Sequence, residues 1–202
     1  MTTFRELFNV ILTADKEVSR KAAREVRKFL YSVKDAGQYE DIPQMIKNAP
    51  EEYAKIAEDF RRENFVMAIS VLYFLHNVES LPDFLFPWLY YLLYSPNGNI
   101  RYAAVRMFEH EISGLTCHIR CPEKIIFYQG LSLEQTNRIL IELFRKLNNL
   151  SVALWQPAYK KYKYIYLLPR GSYKSVQMVL ACLAEYCGEE YMATMDGKIY
   201  SN

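Results

Sequence analysis

A stretch of 42 residues in the second half of the sequence contains no aspartate or glutamate. It lies between Glu142 and Glu185 and carries seven lysines and arginines, a charge of +7 in a chain whose total is +2. Lysine and arginine neutralise phosphates or acidic proteins, and tyrosine rings interleaved with them offer platforms for stacked bases. The candidate binding residues of this acid-free stretch are Tyr159, Lys160, Lys161, Tyr162, Lys163, Arg170 and Lys174.

Three interpretations of the acid-free stretch stay open at the level of sequence. The rest of the chain carries −5, so the stretch can dock internally against negative charge or serve solubility. It can also bind a nucleic acid, or an acidic protein or other anion.

A second basic set lies near the N-terminus, where Arg20 and Arg24 repeat at helical spacing and are followed by Arg27 and Lys28. Repeated helical units bind partners along surfaces built from one helix of each unit, so Arg20 and Arg24 are further candidates. Glu17 and Glu25 lie among these bases, which favours a solvated helix face as the alternative.

The sequence shows no signature of a catalytic or cofactor site. It contains no G-x-S-x-G, P-loop, G-x-G-x-x-G or H-E-x-x-H motif. The run Cys117-His118-Ile119-Arg120-Cys121 has the wrong spacing for a standard zinc pair. We therefore expect no cofactor and no metal, and favour a non-catalytic protein with an enzyme as the alternative.

The elements that must position these residues are mainly helices in the first 115 residues, and the first 113 of these contain only two glycines. Apolar residues at spacings of three and four predict a helix over 2–13 and another over 16–34, with Asp15 as the N-cap. Further helices are predicted at 51–62, starting at Pro50, and at 65–78, 82–94 and 99–113. The pattern therefore predicts helical hairpins joined by short turns in this region.

Two segments of this region resemble the start of the second helix of a HEAT repeat. They are Asp15-x-x-Val18-x-Arg20-x-Ala22-Ala23 and Asn97-x-x-Ile100-Arg101-x-Ala103-Ala104, whose starts are 82 residues apart, or two units of 41. The resemblance implies a stack of helical hairpins over residues 1–115. Asp15 and Arg20 match the family's acid and arginine that tie neighbouring repeats together, whereas Asn97 and Arg101 do not have that spacing.

The sequence pattern changes after residue 115. We predict a small α+β region over residues 116–202, with an all-α chain as the alternative. Short β-prone runs are predicted at 124–129, 151–155 and 162–168, helices at 132–147 and 172–186, and a hairpin at Asp196-Gly197. This gives the β-α-β-β-α-β order of a ferredoxin-like subdomain.

The most apolar runs of the chain are shorter than the roughly 20 residues that span a bilayer, so no membrane partner is expected. Arg5 and Glu6 interrupt the first apolar run, which argues against a signal peptide and for a cytoplasmic protein. We therefore expect a non-catalytic cytoplasmic binding or scaffold module with a macromolecular partner, either a protein or a nucleic acid. The alternatives are a nucleic-acid-binding protein and a DNA glycosylase of HEAT-like fold, for which Trp88, Trp155 and Asp83 are the candidate residues.

Overall fold

A computed structural model of the chain describes residues 3–32, 41–75, 85–123, 130–157 and 171–199. The protein is mainly helical, and these ranges contain helices and turns but no strand. The helices are α1 (Phe4–Thr13), α2 (Lys16–Ser32), α3 (Asp41–Lys55), α4 (Asp59–Leu75), α5 (Phe86–Leu93), α6 (Gly98–Leu115), α7 (Cys117–Arg120), α8 (Leu133–Leu154) and α9 (Ser172–Ile199).

The chain divides into two compact units, Met1–Tyr90 and Tyr91–Asn202. The domain boundary after residue 115 that the sequence suggests stays a prediction. No helix in the described part of the chain is both long enough and apolar enough to cross a membrane.

In the first unit, polar side chains cap the N-termini of α1 and α2. They accept hydrogen bonds from backbone N–H groups that have no partner within the helix. Thr3 and Glu6 form a capping box at α1, with hydrogen bonds of 3.1 and 2.9 Å. Asp15 caps α2, because its Oδ1 accepts from the backbone N–H groups of Glu17 and Val18 at 3.0 Å. These caps fix where both helices begin, and the cap at Asp15 is the one that the sequence predicts.

α2 packs against both α1 and α4, and α3 packs against α4 and, less extensively, against α1. Phe8 of α1 meets Phe65 of α4 edge to face, with ring centroids 5.8 Å apart. α2 contributes Ala22, Val26 and Leu30 to the same core. The first unit thus consists of a hairpin of α1 and α2 packed on a pair formed by α3 and α4.

The predicted helix over 51–62 is wrong, because the helical break comes after Lys55 rather than before Pro50. α3 runs through Pro50, at the expense of one helical hydrogen bond, since Ile46, Ala49 and Tyr53 bury one continuous face. The chain then turns at Ile56, whose carbonyl accepts a 2.7 Å hydrogen bond from Arg62 Nε.

In the second unit, α9 packs against both α6 and α8. It buries Val176, Val179 and Leu183. Ser132 and Gln135 form the capping box of α8, and Asn97 caps α6. α9 changes direction at Gly188, whose φ of 77° and ψ of 162° are available essentially only to glycine.

The predicted C-terminal α+β region is wrong wherever the structure describes it, and the all-α alternative fits. Ser151–Leu154 continues α8, and the segment predicted to form a hairpin around Asp196-Gly197 is helical as part of α9. Burial of Met195 after the Gly188 kink shows why packing overrides the local turn signal. The predicted strands at 124–129 and 162–168 lie outside the described residues.

Candidate macromolecule-binding surface

The exposed side of α2 carries a concentration of positive charge. The helix has six lysines and arginines and two glutamates, a net charge of +4. Ser19, Ala22, Val26 and Leu30 are buried on one side, and all six basic side chains are exposed on the other. We call these the basic face: Lys16, Arg20, Lys21, Arg24, Arg27 and Lys28.

Only part of this charge is neutralised within the helix. Arg20 pairs with Glu17 at 3.1 Å and Lys28 with Glu25 at 2.8 Å, both three residues apart and in contact with solvent. Such pairs are weak and are easily exchanged for another anion. The remaining four cations of the basic face make no ion pair within the described part of the chain.

The basic face also borders a surface hollow of about 540 Å³. Among the described residues its lining comes from α2 alone, including Arg20, Lys21 and Arg24. The candidates Arg20 and Arg24 are therefore brought to one accessible surface, whose charge suits a phosphate- or carboxylate-bearing partner.

Tyr31 is a component of this surface that the sequence reasoning missed. Its side chain is 66% exposed in the last turn of α2. At 3.6 residues per turn, Lys16, Arg20, Arg24, Arg27 and Tyr31 fall within an arc of about 80° around the helix. The signal that would have found it is the continuation of the four-residue spacing from Arg27 to Tyr31.

α2 is held in place by buried polar contacts as well as by its apolar side. Ser19 Oγ donates to the Ile11 carbonyl at 2.8 Å and accepts from Asn64 Nδ2 at 2.9 Å. All three residues are buried, so each hydrogen bond replaces one that water would otherwise make. This network fixes α2 relative to α1 and α4.

Arg61 on α4 supports the turn that leads into α2. Its Nη2 donates to the carbonyls of Thr13 and Ala14 at 3.2 and 3.1 Å, directly before the capping residue Asp15. The resemblance suggests a role for Arg20 beside Asp15, but in the structure Arg20 pairs with Glu17 instead. The arginine that ties the turn to a neighbouring helix is Arg61.

The same arrangement occurs at the start of α6 in the second unit. Asn97 Oδ1 accepts from the backbone N–H groups of Asn99 and Ile100, at 2.8 and 3.4 Å. Arg101 Nη1 donates to the carbonyls of Ser95 and Pro96, at 2.6 and 2.9 Å. Both turns therefore combine an Asp or Asn cap with a guanidinium on the two preceding carbonyls.

We expect Arg61→Ala to lower the free energy of unfolding of the first unit by about 1–3 kcal/mol, because two carbonyls lose a charged donor. The matched control is Arg5→Ala, which removes an ion pair to Asp41 between highly exposed side chains and should cost less than about 1 kcal/mol. Urea unfolding followed by circular dichroism measures both. Equal losses for the two variants would contradict a special role for Arg61.

A second concave surface, of about 340 Å³, lies between α1, α3 and α4. Its floor is apolar and includes Phe8, Phe65 and Ile69, a lining suited to a small apolar group. At its rim, Arg5 and Asp41 already neutralise each other at 3.1 Å. The cleft therefore lacks the unpaired charge of the basic face.

Most of the C-terminal candidates lie outside the described residues: Tyr159, Lys160, Lys161, Tyr162, Lys163 and Arg170. Lys174 lies in the first turn of α9 and is partly exposed. Binding by the acid-free stretch therefore stays a prediction.

The second unit holds a polar cluster that links α7, α8 and α9. His118 Nδ1 lies 3.0 Å from the Leu115 carbonyl, and its Nε2 lies 3.0 Å from Asn137 Oδ1. Tyr191 donates to the same Asn137 oxygen. Both ring nitrogens of His118 therefore lie at hydrogen-bond distance from residues of other helices, Leu115 of α6 and Asn137 of α8.

The thiols near this cluster are poorly suited to nucleophilic chemistry. Burial raises the pKa of Cys187 to about 12. Burial, followed by the charges of Glu109 and Glu185, raises the pKa of Cys182 to about 12. A thiol that stays protonated at neutral pH is a weak nucleophile. No group of three or more His, Cys, Asp or Glu side chains within the described ranges has a metal-binding arrangement.

Of the three candidate residues for a glycosylase, the structure describes the two tryptophans, and these lie in different environments. Trp88 is buried and packs edge to face on Tyr53, with ring centroids 5.9 Å apart, so its ring serves the core. Trp155 is 45% exposed after the end of α8. Asp83 lies outside the described residues.

Comparison with protein-family models, with curated proteins and with solved structures gives no match for this chain.

Proposed function

We propose that the protein is a non-catalytic binding module whose first helical unit presents the basic face of α2 to an anionic macromolecule. The observation that carries this proposal is the exposure of six cations on one helix, of which two pair with acids among the described residues. The caps at Asp15 and the buried network around Ser19 support a rigid presentation of these charges.

The proposal includes a HEAT-like stacking of helical hairpins in the first part of the chain. Two features support it: α2 packs on both its own hairpin partner α1 and the later helix α4, and the capped turn before α2 recurs before α6. We also propose a cytoplasmic location, with which the four free cysteines agree. The acid-free stretch is proposed as a second basic surface.

Chromatography of the intact protein on immobilised heparin, a polyanion, tests the basic face. The variant Arg24→Glu/Arg27→Glu changes the charge of α2 by −4 and should elute at clearly lower salt than the wild-type protein. The matched control Lys47→Glu/Arg138→Glu makes the same change in charge at exposed positions of α3 and α8.

The proposal requires that the shift in elution depends on where in the protein the charges are changed. If the two double variants elute at the same salt concentration, retention reflects net charge alone and the basic face is not a binding surface. Circular dichroism of both variants checks that the helices are intact.

A further inference from the structure

We propose that the partner of the basic face is a single-stranded nucleic acid whose phosphates contact Arg20, Arg24 and Arg27 and one of whose bases stacks on Tyr31. This inference rests on the proposed function, because it names the chemical class of the anionic partner.

The first argument is the geometry of the charges. Lys16, Arg20, Arg24 and Arg27 follow one another along α2 at spacings of four, four and three residues. Residues four apart on a helix are separated by about 6 Å along its axis, so these four cover roughly 16 Å. A regular row of cations matches the regular row of phosphates along an extended strand, whose binding is dominated by such contacts.

The second argument is the exposed ring at the end of that row. Tyr31 lies four residues after Arg27 on the same side of α2, and 66% of its surface is accessible to solvent. Covering the face of this exposed ring removes apolar surface from water, which is favourable. An unstacked nucleotide base supplies a matching flat surface, whereas an acidic peptide needs no aromatic platform.

The ring also distinguishes single strands from duplexes. The faces of bases inside a duplex are already stacked on their neighbours, so Tyr31 has nothing to stack on there. The three arginines add planar guanidinium groups that bind phosphate oxygens in a bidentate manner. A single strand uses both the charges and the ring.

The experiment measures fluorescence anisotropy of a fluorescein-labelled oligothymidylate titrated with the intact protein over a series of salt concentrations. Arg24→Ala/Arg27→Ala should reduce the slope of log K against log salt by about 1.4, because each contact to a single strand contributes about 0.7. Tyr31→Ala should weaken binding roughly five- to hundredfold with an unchanged slope. Tyr31→Phe should retain most of the affinity.

The matched control Lys47→Ala/Arg138→Ala removes two exposed cations outside the basic face and should leave the slope unchanged. A labelled polyglutamate and a duplex of the same length are the competing probes. An oligothymidylate that binds more tightly than both, with the stated effect of Tyr31→Ala, supports the inference.

Other outcomes separate this inference from the function on which it rests. If polyglutamate or the duplex binds as tightly as the single strand and Tyr31→Ala changes nothing, the single-strand assignment is overturned while anion binding by α2 stands. If none of the three probes binds and heparin retention does not depend on Arg24 and Arg27, both proposals are overturned.

Discussion

Replacing Phe65 with alanine is expected to lower the free energy of unfolding of the first unit by about 3–5 kcal/mol, the largest effect of any single substitution considered. Phe65 is 3% exposed on α4 and packs edge to face on Phe8. Its removal leaves a cavity that the surrounding helices can fill only partly, so the loss exceeds the transfer free energy of the ring. Urea unfolding of the intact protein measures the change.

The control lies two residues further along the same helix. Met67 is 36% exposed, so Met67→Ala removes a large apolar side chain without opening a buried cavity and should change the stability by less than about 0.5 kcal/mol. Because α2 packs on α4, Phe65→Ala should also weaken heparin retention under conditions that partly unfold the unit. A Phe65→Ala variant as stable as Met67→Ala would show that the core between α1 and α4 is not as described.

The second large effect is a loss of stability at alkaline pH. Cys187, at 4% exposure, keeps its proton in the folded state up to a pKa of about 12, compared with an ordinary value of 9.0. Above about pH 9 the unfolded chain releases this proton while the folded chain retains it, so the unfolded state binds fewer protons. The free energy of unfolding should therefore fall by about 1.4 kcal/mol per pH unit for this thiol, between about pH 9 and pH 12.

Cys182 and Tyr191 add to this alkaline sensitivity, since burial raises the pKa of each to about 12 as well. Below about pH 9 the contribution of Cys187 is constant, because its thiol is protonated in both states. Unfolding of wild-type and Cys187→Ala proteins is compared over this range. The stability of the variant should fall less steeply with pH, and parallel curves for the two proteins would contradict the assigned burial of Cys187.

Local signals were sufficient to predict α1 and α2. Their apolar residues repeat at three and four, and Asp15 has the side chain that a helix start requires. The prediction of a mainly helical chain is confirmed. Prediction failed at Pro50, where a proline typical of a helix start lies inside α3 because Ile46 and Tyr53 are buried on either side of it.

Tertiary packing explains the failure of the predicted C-terminal strands. Residues 191–197 combine a β-prone run with Asp-Gly, a strong hairpin signal for an isolated segment. In the folded protein the same segment is helical, and Met195 is 1% exposed. Likewise, Ser151–Leu154 extends α8 by more than a turn beyond the predicted end. Neither effect is encoded in the local sequence, since both depend on which helices lie alongside.

The candidate surface was predictable only in part. The spacing of Arg20 and Arg24 placed them on one side of a helix, but the pairing of Arg20 with Glu17 depends on rotamers that spacing does not determine. Arg61 reaches the turn before α2 from 47 residues further along the chain. Contacts between such distant residues follow from the fold, and the sequence pattern around Asp15 carries no trace of them.

The two arginine-supported turns have a consequence for how the sequence can change over time. The donor to the Ala14 carbonyl comes from 47 residues downstream, whereas the donor to the Pro96 carbonyl comes from only five. Each turn needs a hydrogen-bond donor for its two carbonyl oxygens, and any guanidinium within reach can supply it. An arginine lost at one position can therefore be compensated from another helix, so descendants of this chain can keep the backbone turn while their sequences around it drift apart.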